Sequence, residues 1–133
     1  MSTELYIAGF RHGKPAGLPV VDVLAVFGLS KEDQKGGFYA LSYDHLNLCD
    51  LSVGTQNDEI TDICILRPCG HNRLYSEVFS LLSSGPYVAF VPSGPLVAVR
   101  AEAGSDIPED MRAVFGPPVT VSSASALKAE LFE

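Results

Sequence analysis

Residues 60–85 read ITDICILRPCGHNRLYSEVFSLLSSG, and this stretch predicts a buried strand followed directly by an amphipathic helix. The run 63–66 is apolar at consecutive positions, as expected of a central strand that is covered on both faces. Pro68 ends the strand, because proline has no N–H to donate to a sheet ladder. Either His71 or Asn72 then caps the helix, whose apolar positions recur at helical spacing until a Gly-Pro pair ends it.

The segments around this stretch complete the pattern of an α+β protein. Strand patterns lie at 4–10, 37–43, 46–53, 60–67, 87–91, 95–100 and 119–121. Helical patterns begin at Val20, after His71 or Asn72, at Asp106, and after Ser123 or Ser125. The resulting order, β-α-β-β-β-α-β-β-α-β-α, predicts a largely antiparallel sheet with helices packed mainly on one face. The second to fourth strands follow so closely that we expect an antiparallel meander.

Length and charge narrow the classes of function. The 133 residues fit one domain covering residues 1–133. The net charge of −7, with no basic run, argues against nucleic acid, because phosphate binding requires clustered Lys and Arg. From the first residues we expect no signal peptide, and no apolar run reaches the roughly 18–20 residues that span a membrane. We therefore expect a cytoplasmic protein that contacts neither nucleic acid nor membrane.

The number and spacing of the cysteines also favour a cytoplasmic location and predict no metal site. Cys49, Cys64 and Cys69 are an odd number of thiols, which is typical of a reducing environment. They form no Cys-x-x-Cys pair, and neither His12 nor His45 has the spacing of a metal ligand. We expect no metal and no cofactor, with Cys49 and Cys64 as small side chains buried in strands.

Cys69 has different surroundings, because it lies between Arg67 and His71 just before a helix. A helix N-terminus and cationic neighbours both lower the pKa of a thiol. A nucleophile–base pair of Cys69 and His71 is therefore one interpretation of this junction, with Gly70 predicted to adopt positive φ in the turn.

Acidic residues concentrate in the predicted meander. They are Asp44, Asp50, Asp58, Glu59 and Asp62. The alternation allows Asp50 and Asp62 to face each other across neighbouring strands, where two carboxylates repel. Neutralisation by Arg67, by Arg73 or by a basic partner would remove that repulsion.

Several short motifs occur together in a recognisable order. They are Asn47-Leu48-Cys49-Asp50, Arg67-Pro68-Cys69-Gly70, Arg73-Leu74-Tyr75, Ile107-Pro108-Glu109-Asp110-Met111 and Gly116-Pro117-Pro118-Val119-Thr120-Val121. In this order they resemble a group of small bacterial proteins similar to immunity proteins, which are encoded beside the secreted toxins of polymorphic-toxin and type VI secretion systems. The chain departs from that group at His71, where Asp is commoner, and at Tyr75, where Trp is commoner.

The resemblance implies a non-catalytic protein that binds a cognate toxin effector domain and occludes the toxin's active site. Such binding would combine a few buried anchors with electrostatic complementarity. We expect the contact residues at the meander turn and the strand–helix junction, namely Asp44, His45, Asn47, Asp50, Arg67, His71 and Arg73. The alternative to partner binding is that Arg67 or Arg73 forms an internal salt bridge. Its acceptor would be Asp50 or Asp62. When free, the protein is expected to be a monomer or a weak homodimer.

Two other classes of function fit the same composition. A type III secretion chaperone is also small, acidic and α+β, but it would dimerise and bind an extended effector segment. A small thiol-dependent enzyme would use Cys69 as its nucleophile.

Overall fold

The computed structural model describes residues 4–132. It contains the predicted elements in the predicted order, and it adds short strands at 14–15 and 18–19 and a helical turn at 103–106. The strands are β1 (Leu5–Arg11), β2 (Lys14–Pro15), β3 (Leu18–Pro19), β4 (Tyr39–Asp44), β5 (Asn47–Gln56), β6 (Glu59–Leu66), β7 (Tyr87–Phe90), β8 (Val97–Ala98) and β9 (Val119–Thr120). The α-helices are α1 (Val20–Val26), α2 (Asn72–Ser84), α3 (Ala103–Asp106), α4 (Glu109–Phe115) and α5 (Ala124–Phe132), with a 3₁₀ turn at Lys31–Asp33. Every helix in residues 4–132 is too short or too polar to traverse a bilayer.

The strands form one mixed sheet in the order β4-β5-β6-β1-β7-β8-β9. Only β8 and β9 run parallel, and the short strands β2 and β3 pair with β1 and β6. The predicted meander is confirmed as β4, β5 and β6, in which Leu41 lies opposite Cys49 and Leu51 opposite Ile65. The predicted α+β class and largely antiparallel sheet are therefore correct, and β4 forms one edge.

One face of the sheet carries the main core. Ile7, Leu51 and Ile65 are fully buried there, because alternate residues of a strand point to the same face. The apolar stripe of α2, which includes Leu74 and Val78, packs in this core, and both α1 and α5 contact α2. Each large aliphatic side chain buried in this way contributes about 1.5–3 kcal/mol relative to exposure.

The opposite face is covered only at one end. Val88, Leu96 and Ile107 form a small second cluster beneath α3 and α4. Over the meander the same face presents exposed side chains, among them Ser42 and Leu48. Three helices, α1, α2 and α5, thus lie on one face, as predicted for most of the helices, and α3 and α4 lie on the other.

The Gly- and Pro-rich segment 12–19, for which the sequence shows no strand pattern, contributes β2 and β3. The cause is a tertiary contact with a buried tyrosine. The Tyr87 hydroxyl donates to the Ile60 carbonyl at 2.6 Å and accepts from the Leu18 amide at 2.8 Å. Tyr87 therefore holds β3 against β6, although the residues are far apart in the sequence.

Candidate protein-binding site

The predicted contact residues meet where the β4–β5 turn approaches the start of α2 and the end of β6. We call this region the hairpin corner and define it as Tyr43, Asp44, His45, Leu46, Asn47, Leu48, Asp50, Arg67, His71, Arg73 and Glu77. Each residue that the sequence analysis proposed for partner binding lies in this set. The hairpin corner has two sides, one on the α2 side of the sheet and one on the opposite face. The β4–β5 turn connects them.

Asp44 fixes the shape of the turn. Its Oδ1 accepts hydrogen bonds from the Leu46 and Asn47 amides, both at 2.9 Å, and from the Asn47 side-chain amide at the same distance. The Leu46 amide bond is the main cause that lowers the pKa of the Asp44 carboxyl below its usual value of 3.8. Asp44 is therefore an ionised turn-forming residue, and His45 lies exposed beside it.

On the α2 side of the corner, His71 caps the helix and Tyr43 is the central contact. His71 Nδ1 accepts from the Arg73 amide at 3.1 Å, so His71, rather than Asn72, is the N-cap. The His71 ring stacks on Tyr43 with centroids 5.4 Å apart, and His71 Nε2 lies 3.9 Å from Asp44 Oδ2. These contacts attach the start of α2 to the hairpin.

Tyr43 also contacts both members of the Arg73–Glu77 pair. The Tyr43 hydroxyl donates to Glu77 Oε1 at 2.7 Å, and Arg73 Nε lies 3.4 Å from Glu77 Oε2. The Arg73 guanidinium lies 5.7 Å from the centre of the Tyr43 ring, within cation–π range. Burial, followed by the bond to Glu77, raises the pKa of Tyr43 well above its ordinary value, so its hydroxyl remains a donor.

On the opposite face, Arg67 pairs with Asp50 at 3.1 Å. The alternative of an internal salt bridge is therefore correct for Arg67, whereas Arg73 pairs with Glu77 and not with Asp50 or Asp62. Both partners of the Arg67–Asp50 pair are substantially exposed, so the pair contributes at most about 1 kcal/mol. Both side chains remain within reach of a partner.

Two local predictions about this junction are wrong. Asp50 lies opposite Leu66, and Asp62 opposite Gly54, so the two carboxylates do not face each other. The backbone of Gly70 does not adopt positive φ, and Arg67 does instead, at 50°. The left-handed conformation, which costs about 1–2 kcal/mol, thus lies three residues earlier than expected, where β6 ends and the Arg67 side chain reaches Asp50.

Two apolar residues of the corner were not predicted from the sequence. Leu46 and Leu48 are 81% and 59% exposed. Leu46 sits in the turn, and Leu48 points to the open face of β5, opposite Ser42. A signal existed for Leu48, because it occupies an outward position of an alternating strand otherwise filled by polar residues.

Cys69 lies in different surroundings from those that a nucleophile requires. It is half-buried against the main core, and its carbonyl accepts from the Tyr75 hydroxyl at 2.8 Å. Both ring nitrogens of His71 face other groups, Nδ1 the Arg73 amide and Nε2 the Asp44 carboxylate. This geometry gives Cys69 no aligned base and does not favour a thiol-dependent reaction.

The other cysteines behave as small core side chains. Cys49 is buried, and burial raises its pKa to about 12, while Cys64 is half-buried in β6. Among residues 4–132, His, Cys, Asp and Glu side chains form no group that could hold a metal ion.

The hairpin corner offers exposed apolar side chains, mixed charges and a fixed turn, an arrangement suited to binding another macromolecule. No family model, curated protein or solved structure matches this chain.

Proposed function

We propose that this chain is an immunity protein, which binds a secreted bacterial toxin domain through the hairpin corner and occludes the toxin's active site. The motif order described above supports the class of protein, and the hairpin corner supports the mode of action. The corner combines exposed apolar side chains with charged ones, as protein interfaces do.

The observation that carries the proposal is the exposure of Leu46 and Leu48 at a structured turn. These are two large apolar side chains that lie close together in the chain beside charged residues, and a partner that buried both would gain apolar contact area. Burying a leucine side chain contributes about 1.5–3 kcal/mol, so two of them supply a large share of a specific affinity.

The hairpin corner is also held in one conformation before a partner binds. The Asp44 carboxylate fixes the turn that presents Leu46, and the Tyr43 contacts fix the turn against α2. A partner that docks here would not have to order a loop, and ordering costs about 0.5–1.5 kcal/mol for each side chain immobilised. A rigid protruding turn is also the shape that fits a concave active site.

Charge would act mainly on the rate and the specificity of association. The net charge of −7 attracts a cationic toxin domain over distance. At short range the exposed Asp50 and Arg67 side chains can exchange their mutual pair for contacts with the toxin. Association should therefore slow as the salt concentration rises.

The test uses the C-terminal domain of the protein encoded immediately upstream of this chain. Its affinity is measured by calorimetry for the wild type and for Leu46→Ser and Leu48→Ser. We expect each variant to weaken binding by about 30-fold or more, because removing an interface anchor typically costs at least about 2 kcal/mol. Co-expression should rescue growth for the wild type and fail for the variants.

Val114→Ser is the matched control, since Val114 on α4 is 79% exposed and lies outside the corner. It should bind like the wild type. Binding within about threefold of the wild type for both leucine variants, or no neutralisation of the upstream domain by the wild type, would refute the proposal.

A further inference from the structure

Two of the free cysteines, Cys49 and Cys69, are in contact with each other. Cys49 belongs to the main core, and Cys69 packs against that core from the loop that joins β6 to α2. The Cys49 thiol lies within hydrogen-bonding reach of both the backbone and the side chain of Cys69. The fold therefore brings together two thiols that are far apart in the sequence.

The path of the chain explains this contact. Asp50 lies opposite Leu66 in the β5–β6 ladder, so β6 ends one residue before the position opposite Cys49. The backbone turns at Arg67, where φ is 50°, and the loop then leads into α2. Cys49 points to the face of the sheet that α2 covers, because it alternates with the outward Asp50 along β5 and is buried in the main core. Both thiols therefore lie on one face.

The surroundings hold each cysteine in place. The Tyr75 hydroxyl donates to the Cys69 carbonyl at 2.8 Å, and Lys128 Nζ donates to the Gly70 carbonyl at 2.7 Å. Cys49 is held by strand pairing, opposite Leu41 of β4. A disulfide requires an S–S length of about 2.05 Å and Cβ atoms about 3.5–4.5 Å apart. Thiols in contact approach that geometry through a small shift, which the loop can supply because it has no regular secondary structure.

We infer that Cys49 and Cys69 form an intramolecular disulfide when the chain is exposed to an oxidising small disulfide such as oxidised glutathione. Cys69 reacts first because it is partly exposed, whereas Cys49 is 3% exposed. The Cys69 thiolate attacks one sulfur of oxidised glutathione and releases one glutathione. The Cys49 sulfur then loses its proton, attacks the Cys69 sulfur and releases the second glutathione.

The exchange balances without any further reactant. Two electrons pass from the two cysteine sulfurs to glutathione, and the two cysteine protons end, through the solvent, on the two glutathione thiols. The reaction is stoichiometric and the solvent takes up the thiol protons, so it needs no aligned base. A thiol reductant reverses it, so the bond forms in oxidising conditions and is removed in reducing ones.

Cys64 provides a comparison within the same chain. It lies between Ile63 and Ile65, which are buried in the main core, so Cys64 points to the opposite face of the sheet. It is half-buried, as Cys69 is. Because the sheet separates Cys64 from Cys49, Cys64 forms at most a mixed disulfide with glutathione.

The disulfide acts on the hairpin corner and on stability. It ties β5 to the loop that leads into His71, the N-cap of α2, and it encloses the β5–β6 hairpin. A crosslink of this kind restricts the unfolded chain. The oxidised chain should therefore unfold at a higher urea concentration than the reduced chain.

Mass spectrometry of the purified chain tests the inference without any toxin, so its failure is distinct from failure of the proposed function. The wild type is equilibrated with mixtures of oxidised and reduced glutathione at neutral pH, and the remaining thiols are alkylated with iodoacetamide. We expect a product in which Cys49 and Cys69 have lost two hydrogens and escape alkylation. Peptide mapping should join Cys49 to Cys69, and reductant should restore both thiols.

Cys64→Ser is the matched control. It should form the same disulfide at a glutathione ratio within about twofold of that for the wild type, whereas Cys69→Ser should form none. A wild type in which Cys69 carries glutathione while Cys49 remains a thiol would overturn the inference. A crosslink that contains Cys64, or a chain whose thiols stay reduced at every ratio, would do the same.

Urea unfolding of the wild type provides a measurement that depends on no variant. The oxidised chain should have the higher midpoint, because the crosslink restricts only the unfolded chain if the fold already places the two sulfurs together. A midpoint that is unchanged or lower after oxidation would show that the bond distorts the fold, and would contradict the inference.

Discussion

At the scale of single residues, Tyr43 determines how the hairpin corner holds together. Its hydroxyl donates to Glu77, while its ring contacts His71 and lies near the Arg73 guanidinium. Glu77 is mostly shielded from water, with 13% of its side chain exposed. A partly buried carboxylate depends strongly on its remaining hydrogen-bond donors.

Tyr43→Phe should therefore lower the free energy of unfolding by about 1–2 kcal/mol, because it removes one donor from Glu77 and leaves the ring in place. Urea denaturation at neutral pH measures the change. Tyr6→Phe is the control, since Tyr6 stacks on Phe90 but its hydroxyl donates to no group in residues 4–132. Equal losses for the two variants would show that the Glu77 bond contributes nothing.

At the scale of elements, the approach of β3 to β6 depends on a glycine. A Cβ at Gly17 would lie 1.9 Å from the Ile60 carbonyl oxygen and 2.9 Å from the Tyr87 hydroxyl. The carbonyl is backbone within a sheet and has no room to move. Gly70, in the loop before α2, meets no atom closer than Lys128 Nζ at 3.9 Å.

Gly17→Ala should separate β3 from β6 and lower the free energy of unfolding by about 2–3 kcal/mol, through overpacking and the loss of the Tyr87 bonds. Gly70→Ala should leave stability unchanged or raise it by up to about 1 kcal/mol, because alanine restricts the unfolded chain. Thermal and urea unfolding of both variants make the comparison. A tolerated Gly17→Ala would mean that β3 is not held closely to the sheet.

At the scale of the whole molecule, the two apolar clusters differ greatly in size. The main core unites three helices with most of the sheet, whereas the second cluster has few members around Val88, Leu96 and Ile107. None of the residues of α4 is fully buried. Regions with few buried contacts open locally, without global unfolding.

Native-state hydrogen exchange should therefore separate two levels of stability. The amides of α4, such as Arg112, which donates to the Pro108 carbonyl, should exchange through a local opening with little dependence on urea. The amide of Ile7 in the central β1 should exchange only through global unfolding. Identical free energies and urea dependences for both would indicate that the two clusters unfold as one unit.

Features that depend on nearby residues could be predicted from the sequence, whereas features that depend on strand register could not. The meander and α2 follow from periodicities that act within a few residues, and the turn at Asp44 follows from the ability of Asp to accept neighbouring amides. The pairing of Asp50 with Leu66 depends on the register of β5 and β6, which a one-residue shift would reverse. The proposed contact residues could therefore be placed in one region from the sequence, but the residue opposite Asp50 in the sheet and the ion-pair partner of Arg73 could not.

The sequence by itself determined the class of fold, the order of its main helices and strands and the region where charged side chains gather, because backbone preferences and apolar periodicity are local properties. Only the tertiary structure decided that Leu46 and Leu48 remain exposed, that Arg67 takes the left-handed turn, and that β4 ends as an open edge. Those outcomes depend on which surfaces meet across the sheet, and burial is a property of the assembled chain that no short segment contains.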